Sequence, residues 1–171
     1  GSYAGAMGFP QFMPSSWRNL AVDFDGDRRI DLINNPVDAI GSIANYFKGN
    51  GWRTGEPVVV RARLSGQTYD AATSTELQTV STLGTLANQG LTPRTALTLP
   101  ATTAASGIRL QGMNGGEFWI GFNNFYVITR YNRSILYAMA AVQLSQALEA
   151  AKQERDQTAA TAASSGVSLL P

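Results

Sequence analysis

Apolar and polar positions along this chain follow two rhythms, which exchange near residue 52 and again near residue 122. Within residues 36–48, Val37, Ile40, Ile43, Ala44 and Phe47 recur at spacings of three and four, so they share one helical face. Asn35 suits the N-cap and Pro36 the first helical position, where a missing N–H costs nothing; Gly49, Asn50 and Gly51 stop the helix. Residues 57–64, PVVVRARL, are β-branched and partly alternating, which predicts a strand. Thr73 and Glu76 have capping-box spacing and predict a helix over 73–88, with Leu77, Val80, Leu83 and Leu86 on one side and Gly90 as its end. Short strands are expected at 96–99 and 108–111. The Asn114-Gly115-Gly116 turn then leads into a strand over 117–122. Helix-forming composition returns over 134–155, with Leu144 on the apolar, core-directed face. Residues 123–132, NNFYVITRYN, fit strand and helix equally by period. The low-complexity run 156–171 is expected to be a disordered tail.

These rhythms predict an α+β chain. Helical segments at 1–51 and 123–155 flank a small α+β insert at 52–122. The opening stretch, GSYAGAMGFPQFMPSSW, is too irregular for a strand and too broken for one clean helix. It crowds small residues around Gln11, a setting that predicts a buried glutamine. The length of 171 residues suits one modest domain or a lobe carrying an insert, and 44% hydrophobic content supports a packed core. Thirteen basic residues against twelve acidic ones give a net charge of +1, which makes no electrostatic case for nucleic acid or an anionic membrane surface. The chain has no cysteine and no histidine, so thiol catalysis, disulfides, a Ser-His-Asp triad and His-ligated metals are excluded within it. No apolar run approaches the roughly twenty residues of a membrane-spanning helix.

Two groups of residues could carry chemistry. In DFDGDRRID, Asp23, Asp25 and Asp27 alternate and Asp31 follows, a pattern that can fold carboxylates inward around the oxygen-seeking calcium ion. A standard EF-hand loop would place glycine where Arg28 stands and a bidentate glutamate where Asn34 stands. Asp38 is the nearest carboxylate that could close a longer loop. A solvated acidic turn, with Asp38 favoured by the helix dipole, accounts for the same residues. The second group is aromatic and amide-rich: Trp119, Phe122, Asn123, Asn124, Phe125, Tyr126, Tyr131, Asn132 and Tyr137. Flat apolar faces with polar tips suit sugar rings, and they suit a protein core equally. None of Glu56, Glu76, Glu117, Glu149 and Glu154 sits in a run resembling a catalytic pocket.

Three blocks, SYAGAMGFPQFMPSSW, DFDGDRRIDLINNPVDAIGSIANYFKGNGW and EFWIGFNNFYVITRYNRSILYAMAAVQL, together resemble the membrane-bound lytic transglycosylase B family of peptidoglycan-cleaving enzymes, over residues 1–148. The resemblance implies a lysozyme-like helical lobe with an inserted β-containing domain and an EF-hand-like calcium loop at 23–38. It implies non-hydrolytic cleavage between N-acetylmuramic acid and N-acetylglucosamine, leaving a 1,6-anhydro end. Ser2, Gln11, Tyr46, Tyr131, Asn132 and Tyr137 match substrate-binding positions. Asp23, Asp25, Asp27, the Arg29 carbonyl and Asp38 match calcium ligands. The family's catalytic glutamate lies upstream of the SYAGAMG block, so it is expected N-terminal to Gly1, together with any signal or outer-membrane anchor. The implied setting is a monomer acting on glycan strands in the periplasm, inactive as this chain alone. A non-catalytic, calcium-stabilised peptidoglycan-binding module and a purely structural domain are the competing readings.

Overall fold

The computed structural model describes residues 2–165, with side chains described through residue 161. Two helices come first, α1 (Pro14–Leu20) and α2 (Pro36–Gly49). Next come five strands, β1 (Val59–Leu64), β2 (Ser81–Thr82), β3 (Leu91–Pro93), β4 (Ala104–Gly112) and β5 (Gly115–Gly121), with α3 (Leu83–Asn88) between β2 and β3. The helices α4 (Asn123–Tyr131) and α5 (Ile135–Ser165) close the chain. All strand pairs are antiparallel, and the sheet order is β2-β4-β5-β1-β3.

Side chains alternate across this sheet, and both faces are covered. Val59 and Ile108 join Phe125, Tyr126, Ile128, Ala138, Met139 and Val142 in one core, with Trp119 packed against it. The opposite face, including Ile120, packs with Leu83, Leu86, Leu91 and Phe122. The first core therefore ties the sheet directly to α4 and α5.

Several expectations hold in position and change in detail. Asn35 caps α2 by accepting from the Val37 N–H at 2.9 Å. Only the C-terminal part of the predicted apolar face is covered, where Phe47 packs against the core. Ile40 is 65% exposed and Val37 43%, whereas Asp38, Ala39, Gly41 and Ser42 are buried. The reason is the neighbouring loop, whose unpaired backbone groups need polar partners more than α2 needs an apolar neighbour. Ser42 Oγ accepts from the Val22 N–H at 2.9 Å, and Asn45 Nδ2 donates to the Leu20 carbonyl at 2.9 Å. Gly41 lets the Phe24 side chain pack onto the helix, where any Cβ would collide with it.

The predicted helix over 73–88 shrinks to its second half. Thr73 Oγ1 donates to the Asp70 carbonyl at 2.9 Å, closing a 3-10 turn (Tyr69–Ala72), and Thr82 is the real N-cap. Between them the chain lies along β4: Ser74 N–H donates to the Gly107 carbonyl at 2.9 Å, and Val80 N–H to Ser106 Oγ at 2.8 Å. Tertiary pairing with β4 has overridden a local capping signal. Residues 96–99 form no strand, and β4 is longer than expected. The hairpin turns one residue early, through Met113 and Asn114, because Gly112 pairs with Gly115. The ambiguous 123–132 run resolves as α4. α5 continues through Ser165, so residues 156–165 are helical instead of a disordered tail, and 166–171 lie outside the described residues. Leu144 is 61% exposed; α5 instead buries Ala138, Met139 and Val142.

Candidate functional site

The opening segment folds as a closed loop. Met7 and Phe12 exchange backbone hydrogen bonds at 3.0 and 3.1 Å, and Phe9 N–H donates to the Leu32 carbonyl at 2.8 Å. Gly8 makes that contact possible: its φ is +71°, and a Cβ there would strike the Leu32 carbonyl oxygen. Ser2 Oγ accepts from the Ala6 N–H at 3.0 Å, holding the preceding turn. Gln11 is exposed, contrary to the sequence expectation, and is held at a left-handed φ of 50°. Its Nε2 donates to the Gly8 carbonyl at 2.9 Å, so the strained backbone presents the amide outward.

Beneath that loop lies an aromatic cluster drawn from three distant parts of the chain. Buried Phe12 meets Tyr46 of α2 at 5.7 Å and Tyr131 of α4 at 6.3 Å between ring centroids. Tyr46 and Tyr131 meet edge-on at 5.4 Å. Phe47 contacts Tyr131 at 6.0 Å and stacks on Trp52 at 5.7 Å. Both phenols are anchored. Tyr46 donates to the Arg130 carbonyl at 2.8 Å, and Tyr131 donates to the Pro10 carbonyl. Burial pushes Tyr131 up to about 12, with Tyr137 and Tyr46 adding to the shift. Burial raises Tyr46 as well, and the positive charge of Arg130 draws it partly back.

The structure thus brings Gln11, Tyr46, Tyr131 and Tyr137 to one place, with Asn132 beside them. Asn132 is exposed at the C-terminal cap of α4, and its side-chain amide has no hydrogen-bond partner among the described residues. Ser2 lies at the edge of the opening loop. Most of the other aromatics and amides of the sequence group are structural. Phe122, Phe125 and Tyr126 are buried, and buried Asn124 pins the 53–56 loop through Arg53 and Glu56. Sequence pattern assigns neither Phe12 nor Phe47 to a site: Phe12 lies within the opening block, and Phe47 reads there only as part of a helical face.

The aspartate loop presents a second constellation. Carboxylate oxygens of Asp23, Asp25 and Asp27 lie within 4.8 Å of one another. Asp23 accepts the Gly26 and Arg28 N–H groups, each at 2.7 Å, and Asp27 accepts that of Arg29 at 2.8 Å. Arg28 adopts φ 70°, a left-handed conformation that glycine more readily supplies. The Asn35 amide, then the Asp27 N–H, hold the Asp25 carboxyl below its usual range. Asp38 is set apart from this trio. It is fully buried and accepts Phe24 N–H at 2.8 Å and Asp31 N–H at 2.9 Å, fastening both ends of the loop to α2.

The sequence matches the Transglycosylase SLT domain family over residues 1–146. The chain belongs to that family. It is 49% identical over 152 residues to membrane-bound lytic murein transglycosylase B of Escherichia coli (strain K12), covering 89% of this chain and 40% of that protein. Among solved structures, soluble lytic transglycosylase SltB1 from Pseudomonas aeruginosa superposes with a TM-score of 0.82 at 48% identity, covering 90% of this chain and 50% of that one. The Escherichia coli lytic transglycosylase Slt35 in complex with calcium gives 0.76 at 49% identity, with 88% and 46% covered. SltB3 from Pseudomonas aeruginosa in complex with NAG-NAM-pentapeptide gives 0.67 at 37% identity, with 82% and 37% covered. This member of the family therefore spans about half the length, or less, of the relatives it matches. Among the described residues, no helix is long and apolar enough to cross a membrane.

Proposed function

We propose that this chain forms the glycan-holding wall of a peptidoglycan lytic transglycosylase. The observation that carries the reading is the meeting of the Gln11 loop, Tyr46 and the Tyr131–Asn132 end of α4 around buried Phe12, in a chain of this family. Outward amides at Gln11 and Asn132 suit sugar hydroxyls and acetamido groups, and tyrosine faces suit the flat sides of pyranose rings. The chemistry requires a carboxyl group that protonates the glycosidic oxygen as the C1–O bond breaks. The muramyl 6-hydroxyl then attacks C1 and returns its proton to that carboxylate, so no water enters the product.

None of the five glutamates belongs to the aromatic cluster. Glu56 and Glu117 pair with Arg53 and Arg61 at 3.5 and 2.8 Å, Glu76 lies on the 75–78 segment, and Glu149 and Glu154 are exposed on α5. The proposed acid is therefore a glutamate N-terminal to Gly1, and this chain by itself binds glycan without cutting it. In the same reading residues 52–122 are an insert in a helical lobe made of 1–51 and 123–155, and the protein acts in the periplasm, where peptidoglycan lies. The 23–38 loop is EF-hand-like and suits calcium, because its oxygen-only donor set and its left-handed Arg28 match what that ion requires. Calcium there would neutralise three crowded carboxylates and stiffen the loop that carries Leu32.

Mass spectrometry of peptidoglycan digested by the protein that bears this chain tests the reaction. Products lighter by one water than hydrolytic fragments are expected, with none released by the isolated 171-residue chain. Ordinary reducing ends would overturn the reading.

A further inference from the structure

We propose that the groove between residues 75–79 and α4 holds a carboxylate of the peptide that hangs from the glycan, with Arg130 and Arg133 as its two cationic contacts. This rests on the transglycosylase reading and deepens it by naming what lies beyond the sugar. A cavity of about 310 Å³ opens beside the end of α4, lined by Arg130, Arg133, Thr75, Glu76 and Gln78 among others. A second hollow of about 140 Å³ shares Gln78 and Arg130 and continues toward Asn50 and Asn123. The two polar hollows adjoin at these shared residues.

The groove's placement follows from the local fold. Residues 130 and 133 bracket Tyr131 and Asn132. Tyr131 turns its ring into the aromatic cluster, whereas the arginines on either side line the cavity. The Arg130 backbone is fixed, because its carbonyl accepts the Tyr46 hydroxyl at 2.8 Å. Both arginines are exposed, and neither forms an ion pair with any described residue. They stand as open forks whose planar geometry matches a carboxylate bidentately. Glu76 lines the same cavity, so the site sets two positive charges against one negative. That balance favours a peptide carrying both signs over a simple polyanion.

A muramyl residue lying against Tyr131 and Asn132 would release its peptide at the mouth of this groove. Five extended residues reach up to about 17 Å, ample to pass from one face of α4 to the next. The threonine hydroxyl of Thr75 and the amides of Gln78, Asn50 and Asn123 then provide partners for the peptide backbone.

Calorimetric titration of the protein with three probes tests this: the GlcNAc–MurNAc disaccharide, the same disaccharide carrying a pentapeptide, and that pentapeptide form with every carboxylate amidated. The pentapeptide form should bind about tenfold more tightly than the disaccharide, a gain typical of charge-assisted pairs. Amidation, or the R130Q/R133Q double variant, should erase that advantage while leaving affinity for the disaccharide and thermal unfolding unchanged. Equal binding of the three probes, or an advantage that survives in the double variant, would overturn the proposal and leave the glycan site standing. Failure of the disaccharide and both peptide forms to bind would overturn the glycan reading and this inference together.

Discussion

At the scale of single residues, the site depends on side chains held in states they would not choose alone. Gln11 occupies left-handed backbone, which costs a non-glycine residue free energy that the Met7–Phe12 pairing must offset. Tyr131 is kept protonated by burial, with Tyr137 and Tyr46 adding to the shift. Its folded value of about 12 lies above the ordinary 10.0, so the folded state holds this proton more firmly than the unfolded chain does. The stabilisation is complete below about pH 10 and is lost as pH rises toward about 12. Unfolding measured across that window should show stability falling with pH, and Y131F should lessen the fall. Tyr46 and Tyr126, also raised by burial, will keep the variant's curve sloping. Parallel curves for variant and parent would remove Tyr131 from this account. Tyr46 could be picked out in the sequence only through resemblance, and Tyr131 and Tyr137 only as members of an aromatic group that suits core and sugar alike, since periodicity gives a core tyrosine and a cleft tyrosine the same pattern.

At the scale of elements, α2 shows where pattern reading succeeds and where it stops. Its cap and length follow from Asn35, Pro36 and the Gly49–Gly51 stop, all local signals. Which face it buries does not, because the aspartate loop is a partner that no helical period reveals. Asp38 grips that loop's backbone, and Ser42 and Asn45 grip Val22 and Leu20 just before it, while Val37 and Ile40 stay exposed. The Thr73 capping box fails for a related reason: the strand it lies beside is distant in sequence. Asp38 and the Asp23–Asp25–Asp27 trio should therefore behave differently. D38A leaves the Phe24 and Asp31 N–H groups without their partner and should cost about 1–3 kcal/mol, with or without calcium. D25A should matter chiefly with calcium present: the ion should raise the parent's melting temperature, and the variant should lose that rise. A melting curve indifferent to calcium and chelator would leave the trio as a solvated turn. Leu32 lies within this loop and carries the Gln11 loop on its carbonyl, so the two loops are joined by backbone contact.

At the scale of the whole molecule, the sheet and the helices share a core, and the proposed site lies where the two helical segments meet. Phe12, Tyr46 and Tyr131 are contributed by segments far apart in sequence, which is why no local pattern assembles them. The central claim is that Gln11 and Asn132 face glycan and leave packing to residues such as Met139. Turnover on peptidoglycan beside thermal unfolding, measured in the protein that carries this chain, separates the two roles. Q11A and N132A should lower turnover by about tenfold or more while unfolding stays close to the parent's, since both amides are exposed, Gln11 is tied only to the carbonyl of Gly8 within its own loop, and their remaining hydrogen-bonding capacity is assigned to the substrate. M139A, at a position 3% exposed, should do the reverse, losing about 2–5 kcal/mol of stability with normal turnover per folded molecule. Amide variants that unfold early yet turn over normally would place Gln11 and Asn132 in the scaffold and contradict the account.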